Sequence, residues 1–218
     1  MITAHIASLP AREDGLERAV NSLLPQVDRM VVALNGYGHV PDFLSDPKIY
    51  HIILDNTLGD AAKFWRCSNV SGYVLACDDD LVYPEGYADY MIAGVKKHGG
   101  IVSLLGKQYA TRPITSFRKG YTKIFRCLSR VMEDTEVDVV GTGVLVFHTD
   151  DFYVEMEHFP VPNMADIWVA KAAHQQGVKL TVLAHHARWV KHHNYPWRIW
   201  SHDSDDEFQT EVMNSFLK

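Results

Sequence analysis

Three consecutive carboxylates, Asp78, Asp79 and Asp80, stand directly behind the apolar run Tyr73 to Cys77. Adjacent acids repel one another, so keeping all three ionised calls for a divalent cation or a ring of donors. Oxygen ligands suit a hard cation such as Mg²⁺ or Mn²⁺, which keeps coordination positions open for the phosphates of a substrate. The plainer reading is an acidic turn that caps a helix starting at Pro84. The run before the triplet favours the metal reading. It has the length and composition of a buried parallel strand, and open α/β sheets bind ligands at the carboxyl ends of their strands.

The elements that must position these acids follow from periodicity. Ile2 to Ala7 reads as a first strand. The loop Ser8-Leu9-Pro10-Ala11-Arg12 leads to a helix from about Asp14 to Leu24, with Leu16, Ala19, Val20, Leu23 and Leu24 on one face and Asp14 as its cap. Met30 to Leu34 and Ile49 to Leu54 are further strands, and Leu58 to Trp65 is a loop feeding a helix. Four strands alternating with helices within the first eighty residues predict a parallel sheet with right-handed crossovers. A helix from Pro84 to about His98, a strand Ile101 to Leu105, a helix Asn163 to Gln176 and a last core strand Lys179 to Leu183 complete the pattern. Val139 to Phe147 reads as a strand broken by Gly141 and Gly143, where a ligand or another backbone approaches closely. It lacks the spacing of a dinucleotide fingerprint.

Two stretches stay open. In residues 106 to 136 the cations Lys107, Arg112, Arg118, Lys119, Lys123, Arg126 and Arg130 alternate with Tyr109, Phe117, Tyr121 and Phe125. They make either a substrate-facing flap or an irregular hairpin with its aromatics turned inward. From His185 onward, five of the 12 histidines (His185, His186, His192, His193 and His202) mix with Trp189, Tyr195, Trp197 and Trp200. Histidines there suit a metal ligand, a proton donor or ordinary surface equally well.

Composition bounds the rest. The 218 residues, 47% hydrophobic and 22% charged, fit one globular α/β domain, and the net charge of -6 argues against a general polyanion binder. No stretch resembles a signal peptide or a membrane span, which predicts a cytoplasmic protein. Cys67, Cys77 and Cys127 are odd in number and show no paired spacing, which predicts reduced thiols.

Taken in order, the S-x-P-x-R loop, the acid after the third strand, the G-D-x-x-K-F stretch, the acid cluster, the glycine-broken strand and a helix opening on an acid resemble GT-A fold glycosyltransferases. The likeness is to the inverting family-2 type and runs from Ile2 to about Leu183. It implies a single GT-A domain over 1-184, a mostly parallel twisted sheet flanked by helices, with the tail 185-218 packing on or closing over the active site. By the same resemblance, Ser8, Pro10 and Arg12 surround a nucleotide, Asp55 bonds its base, and Lys63 lies near it. Asp78 and Asp80 become the outer acids of a D-x-D motif, with Asp79 between them on the donor side. Asp80 and Asp78 would hold Mn²⁺ or Mg²⁺, and Gly141 to Gly143 would shape the sugar pocket. Asp166 falls at the place of the catalytic base. Trp189 and Lys191 match a tail pattern of some bacterial members, with His185 as a metal or diphosphate contact and His186 its rival by spacing.

The implied activity is metal-dependent transfer of a sugar from a nucleotide-diphosphate donor, with a UDP-sugar as the family-level guess. The acceptor hydroxyl would belong to a glycan, a lipid-linked sugar, a protein or a modified DNA base. Two alternatives remain. One is a sugar-phosphate nucleotidyltransferase, against which the glycine-poor loop Ser8 to Gly15 counts. The other is a non-catalytic nucleotide- or glycan-binding module of the same fold.

Overall fold

The computed structural model describes residues 1–193, 195 and 205–217. Its centre is an eight-stranded sheet of order β3-β2-β1-β4-β11-β6-β12-β9. The strands β1 (Ile2–Ser8), β2 (Arg29–Asn35), β3 (Ile49–Leu54) and β4 (Tyr73–Asp78) run parallel. On the other flank, β11 (Val144–His148) runs antiparallel to both β4 and β6 (Ile101–Ser103). Beyond them β12 (Leu180–Val182) lies parallel to β6, and β9 (Thr135–Glu136) closes the edge antiparallel to it. The chain therefore steps outward from β1 to β3 and returns on the opposite side of β1 with β4. That reversal is the topological switch point at which open α/β sheets form a crevice.

Strand residues alternate between two apolar layers, as a sheet covered on both faces requires. Leu75, Cys77, Val144 and Val146 pack with α1 (Glu13–Leu23) and α2 (Tyr87–His98). Val74, Ala76, Leu145 and Phe147 pack on the other face with α3 (Ala165–Gln175). The final helix, α4 (Asp206–Asn214), and the residues after it add Val212, Met213, Phe216 and Leu217 to that second layer. Asp205 caps α4 by accepting the backbone N–H groups of Glu207 and Phe208.

Several sequence expectations are corrected. The connection after β3 holds a short 3₁₀ helix, Gly59–Phe64, where a full helix was expected, so α1 is the one α-helix among the first eighty residues. Gly59 adopts a positive φ and would meet Asn163 if it carried a side chain, which keeps the turn tight. The helix expected from Pro84 starts at Tyr87, behind the left-handed Gly86, and that expected from Asn163 starts at Ala165. Asp14 lies in the first turn of α1 and Arg12 takes the cap position. The basic and aromatic stretch forms a hairpin of β7 (Gly106–Gln108) and β8 (Lys123–Phe125), joined by β10 (Val139–Val140) into a second, three-stranded sheet. Tyr109, Phe117 and Phe125 turn into the core.

The acid-bearing end of β4 is anchored by Tyr83, which follows β5 (Leu81–Val82). Its buried hydroxyl accepts the Asp78 N–H at 2.7 Å and donates to the Gly143 carbonyl at 2.7 Å. One phenol thus ties the end of β4 to the start of β11. Tyr83→Phe leaves both partners without that hydroxyl and should destabilise the fold by about 1–3 kcal/mol in urea unfolding, with an unchanged m-value.

Candidate active site

The carboxyl ends of β1, β2, β3 and β4 bring Ser8, Asn35, Asp55 and Asp78 to one edge of the sheet. Across the switch point, Arg12 from the loop after β1 reaches the triplet. Its guanidinium donates to Asp79 Oδ1 at 2.9 Å and lies 3.5 Å from Asp80 Oδ2. Asp79 is buried, and burial raises its carboxyl to about 6 against the pull of Arg12. It faces inward and holds Arg12, while Asp78 and Asp80 keep more of their side chains open, at 41% and 18% exposure.

A second cation compensates the triplet from beneath. Lys63, 5% exposed and carried by the 3₁₀ helix, bonds the Asp78 carboxylate. Burial alone would lower its ammonium pKa, but Asp78, Asp60 and Asp166 outweigh burial and raise it. Asp60 is the member of this cluster that the sequence reading passed over. Its Oδ2 accepts the Ala165 N–H at 3.1 Å at the start of α3, its Oδ1 has no hydrogen-bond partner, and burial raises it to about 6. The D-x-x-K spacing within Gly59–Phe64 was the available signal, since one turn places the acid beside the lysine.

Asp166 enters from the first turn of α3. Its Oδ1 accepts both the backbone N–H and the hydroxyl of Thr142, each at 2.8 Å. Both bonds fall on one oxygen, and burial raises the carboxyl above its ordinary value. Gly143 beside it is required by contact, because a side chain there would run into the Asp78 carboxylate. A side chain at Gly141 would meet Leu105 in the same way. The structure therefore brings Asp78, Lys63, Thr142, Gly143 and Asp166 together, with Asp80 on the Arg12 side of the triplet.

Of the other expected residues, Ser8 hydrogen-bonds the Asp79 carboxylate, while Pro10 and Asp55 lie further out. Pro10 is exposed in the short 3₁₀ helix Pro10–Arg12. Ser8 is buried beside Tyr37, whose hydroxyl lies 3.3 Å away. Asp55 is exposed after β3, with its Oδ1 accepting from the Thr57 hydroxyl and N–H, which lowers its pKa.

The tail corrects the histidine assignment. Both ring nitrogens of His185 face backbone carbonyls, of Leu183 at 2.8 Å and of Arg126 at 3.3 Å, so its ring supports the chain and does not reach the triplet. His192 is the histidine beside the acids, with Nε2 3.5 Å from Asp80 Oδ2. It is placed by β13 (Lys191–His192), which pairs antiparallel with β5. Trp189 packs its ring on Tyr87 and Tyr90 and, with His186 and Met132, borders a separate cleft of about 400 Å³. Lys191 is exposed, and its backbone pairs with Val82. The tail continues over Arg12, whose guanidinium lies 5.1 Å from the centre of the Tyr195 ring. Trp197, Trp200 and His202 lie outside the described residues.

Whether this edge fits a divalent cation turns on the donor set. Asp80 Oδ2 and His192 Nε2 stand close to the spacing of neighbouring ligands on one small cation, roughly 3 Å for bonds of about 2.1 Å. Among the described residues no group of three or more His, Cys, Asp or Glu side chains is arranged to hold a metal. Two protein ligands, with phosphates and water completing the shell, are the usual provision for Mg²⁺. Asp80 and His192 fit a cation that takes its remaining ligands from outside the described residues.

The sheet order and the switch-point crevice define an open α/β fold. No family model and no curated protein matches this chain. Among solved structures, it is similar to a putative glucose-1-phosphate thymidylyltransferase from Bacillus anthracis in complex with a sucrose, at 11% identity and a TM-score of 0.52, covering 100% of this chain and 97% of that one. It is also similar to a mycobacterial protein, at 13% identity and a TM-score of 0.57, covering 90% and 68%. A third likeness, to A197 from STIV, has 13% identity, a TM-score of 0.47 and coverage of 89% and 86%. At these identities the first two likenesses establish the fold. No described helix is long and apolar enough to cross a membrane.

The raised carboxyls give a pH signature. Asp60 binds its proton more tightly in the folded chain, about 6 against an ordinary 3.8. Its contribution to stability is therefore full below pH 4 and is lost as pH rises through 6. In Asp60→Asn, the fall in melting temperature between pH 4 and 6 should be visibly shallower than in the natural chain, measured by calorimetry at constant ionic strength.

Proposed function

We propose that this chain is a glycosyltransferase that uses a nucleotide-diphospho-sugar donor and a divalent cation. The observation that supports this reading is the set of acids at one sheet edge: Asp80 stands beside His192, and Asp78 and Asp166, the latter oriented by Thr142, act on Lys63. Ser8, Asn35 and Asp55 line the ends of the strands where the nucleoside would lie, and Arg12 and Lys63 neutralise the inner acids. Asp80 and His192 would hold Mn²⁺ or Mg²⁺, which supplies Lewis-acid neutralisation of the leaving diphosphate. Asp166, raised by burial, takes the acceptor hydroxyl proton. The acceptor oxygen then bonds the sugar's anomeric carbon, and the bond from that carbon to phosphate breaks with its electron pair leaving on the nucleoside diphosphate. Attack opposite the leaving group inverts the centre.

A sugar-phosphate nucleotidyltransferase is the second reading, favoured by the likeness to the thymidylyltransferase, which spans nearly the whole of both chains. The products separate the two: sugar transfer releases nucleoside diphosphate, whereas nucleotidyl transfer run with a nucleoside triphosphate releases pyrophosphate.

Melting temperatures measured with UDP, GDP, CDP and ADP, each with and without Mn²⁺, test the donor site. One nucleotide should stabilise the chain only with metal, by about 2.7 kcal/mol at 100 times its dissociation constant. Asp80→Asn should abolish that shift. Asp166→Asn should keep it while slowing donor turnover by about 10²–10⁴-fold. A nucleotide shift indifferent to both Mn²⁺ and Asp80→Asn would overturn the metal assignment.

A further inference from the structure

The β7–β8 hairpin carries two cations close in register: Lys107 lies opposite Ile124, and Arg126 follows Ile124 by two residues. Lys107, on β7, is half-buried, with its ammonium 3.6 Å from the centre of the Phe117 ring and 5.8 Å from that of Tyr121. Its one hydrogen bond goes to the Phe117 carbonyl, at 3.2 Å. An ammonium carries three donors, so two remain. Among the described residues no carboxylate lies within ion-pair distance of Lys107 or of the exposed Arg126. Neighbouring cations differ: Arg112 is paired with Asp138 at 2.5 Å and Lys97 with Asp134 at 2.6 Å.

The charges that act on Lys107 show what surrounds it. Asp166 and Asp206 attract it, while Arg118 and Arg126 repel it. Asp206 is engaged in holding the hairpin tip, accepting from the Ser116 hydroxyl at 2.7 Å and the Arg118 N–H at 2.9 Å. Burial lowers the Lys107 ammonium to about 8, so the positive charge is held at a desolvation cost that an incoming anion would relieve.

We propose that Lys107 and Arg126 form an anion subsite next to Asp166, which takes a phosphate group carried by the acceptor. This rests on the glycosyl-transfer reading for the word acceptor; the anion site itself does not. The phosphate accepts charge-assisted hydrogen bonds from the Lys107 ammonium and the Arg126 guanidinium. The rings of Phe117 and Tyr121 fix the lysine stem, and the adjacent acceptor hydroxyl is left within the province of Asp166. The acidic surplus of the chain, at -6, confines such binding to this local patch.

The test is calorimetric titration of the full chain with three phosphate probes, sn-glycerol 3-phosphate, a short alkyl phosphate and a dinucleotide, against glycerol as the neutral control. Each titration is run with and without a saturating nucleoside diphosphate and Mn²⁺. Binding of at least one phosphate probe should persist with the nucleotide present and weaken about tenfold or more in Lys107→Gln and in Arg126→Gln. The exposed Arg126→Gln guards against a folding defect, and circular dichroism checks both variants. The tightest of the three probes names the source of the phosphate. Absence of phosphate binding, or binding indifferent to both substitutions, would sink the proposal. Failure of every nucleotide to bind, with phosphate binding intact and sensitive to Lys107, would instead count against the transferase reading alone.

Discussion

The buried ammonium of Lys63 is the constraint on which the site depends. Asp60, Asp78 and Asp166 come from three separated stretches of chain, and each would be costly to gather at this sheet edge without a cation among them. Lys63 answers the Asp78 carboxylate directly and raises no charge of its own to solvent, being almost wholly enclosed. Arg12 does the same for Asp79 and Asp80 from the other side of the switch point. Removing one partner of a buried pair leaves an uncompensated charge, which generally costs about 3–5 kcal/mol. The elements that carry these groups are therefore locked to one another by charge as much as by apolar packing.

That compensation is incomplete, and the remainder has a consequence for function. Five carboxylates, Asp60, Asp78, Asp79, Asp80 and Asp166, gather here, and the Lys and Arg side chains in direct contact with them are Lys63 and Arg12. Raising the carboxyls of Asp60 and Asp79 only to about 6 leaves both mostly ionised at neutral pH. A diphosphate entering such a field meets repulsion unless positive charge enters with it. On the proposed reading, donor and divalent cation are for this reason one ligand, and Asp80 and His192 are where the pair would be received.

Much of this was legible in the sequence where the signal is local. The strand Tyr73–Asp78 and its acids could be read because an apolar run and an abrupt change to carboxylates lie side by side. The glycine break at 141 to 143 was legible for the same reason, although that Gly143 makes room for the Asp78 carboxylate needed the fold. What escaped depends on distant partners. Asp60 is fixed by a backbone N–H of Ala165, and nothing near either residue announces the pairing. The choice between His185 and His192 turns on the path after Leu183: Val131 bridges His185 and holds it under the hairpin, while β13 carries His192 over β5 to Asp80. Spacing set His185 and His186 level and gave no sign of the place His192 takes beside Asp80. The aromatics of the hairpin face the core because their own sheet, β10-β7-β8, folds against α3, a tertiary fact that alternation of cations and rings does not encode.

The likeness in fold does not choose between the two transferase readings, and the proposed one rests on the chemistry of the nucleophile. A sugar phosphate is already an anion at neutral pH and attacks without surrendering a proton; it needs cations to hold it and no base to activate it. A hydroxyl is a poor nucleophile until its proton has somewhere to go. A carboxylate that Thr142 holds by one oxygen, with the other left over and its proton affinity raised by burial, answers the second need and not the first. Its position in the first turn of α3 ordinarily favours the ionised form through the helix dipole. That preference opposes the upward shift that burial gives the carboxyl. On the proposed reading, glycosyl transfer uses each of these properties.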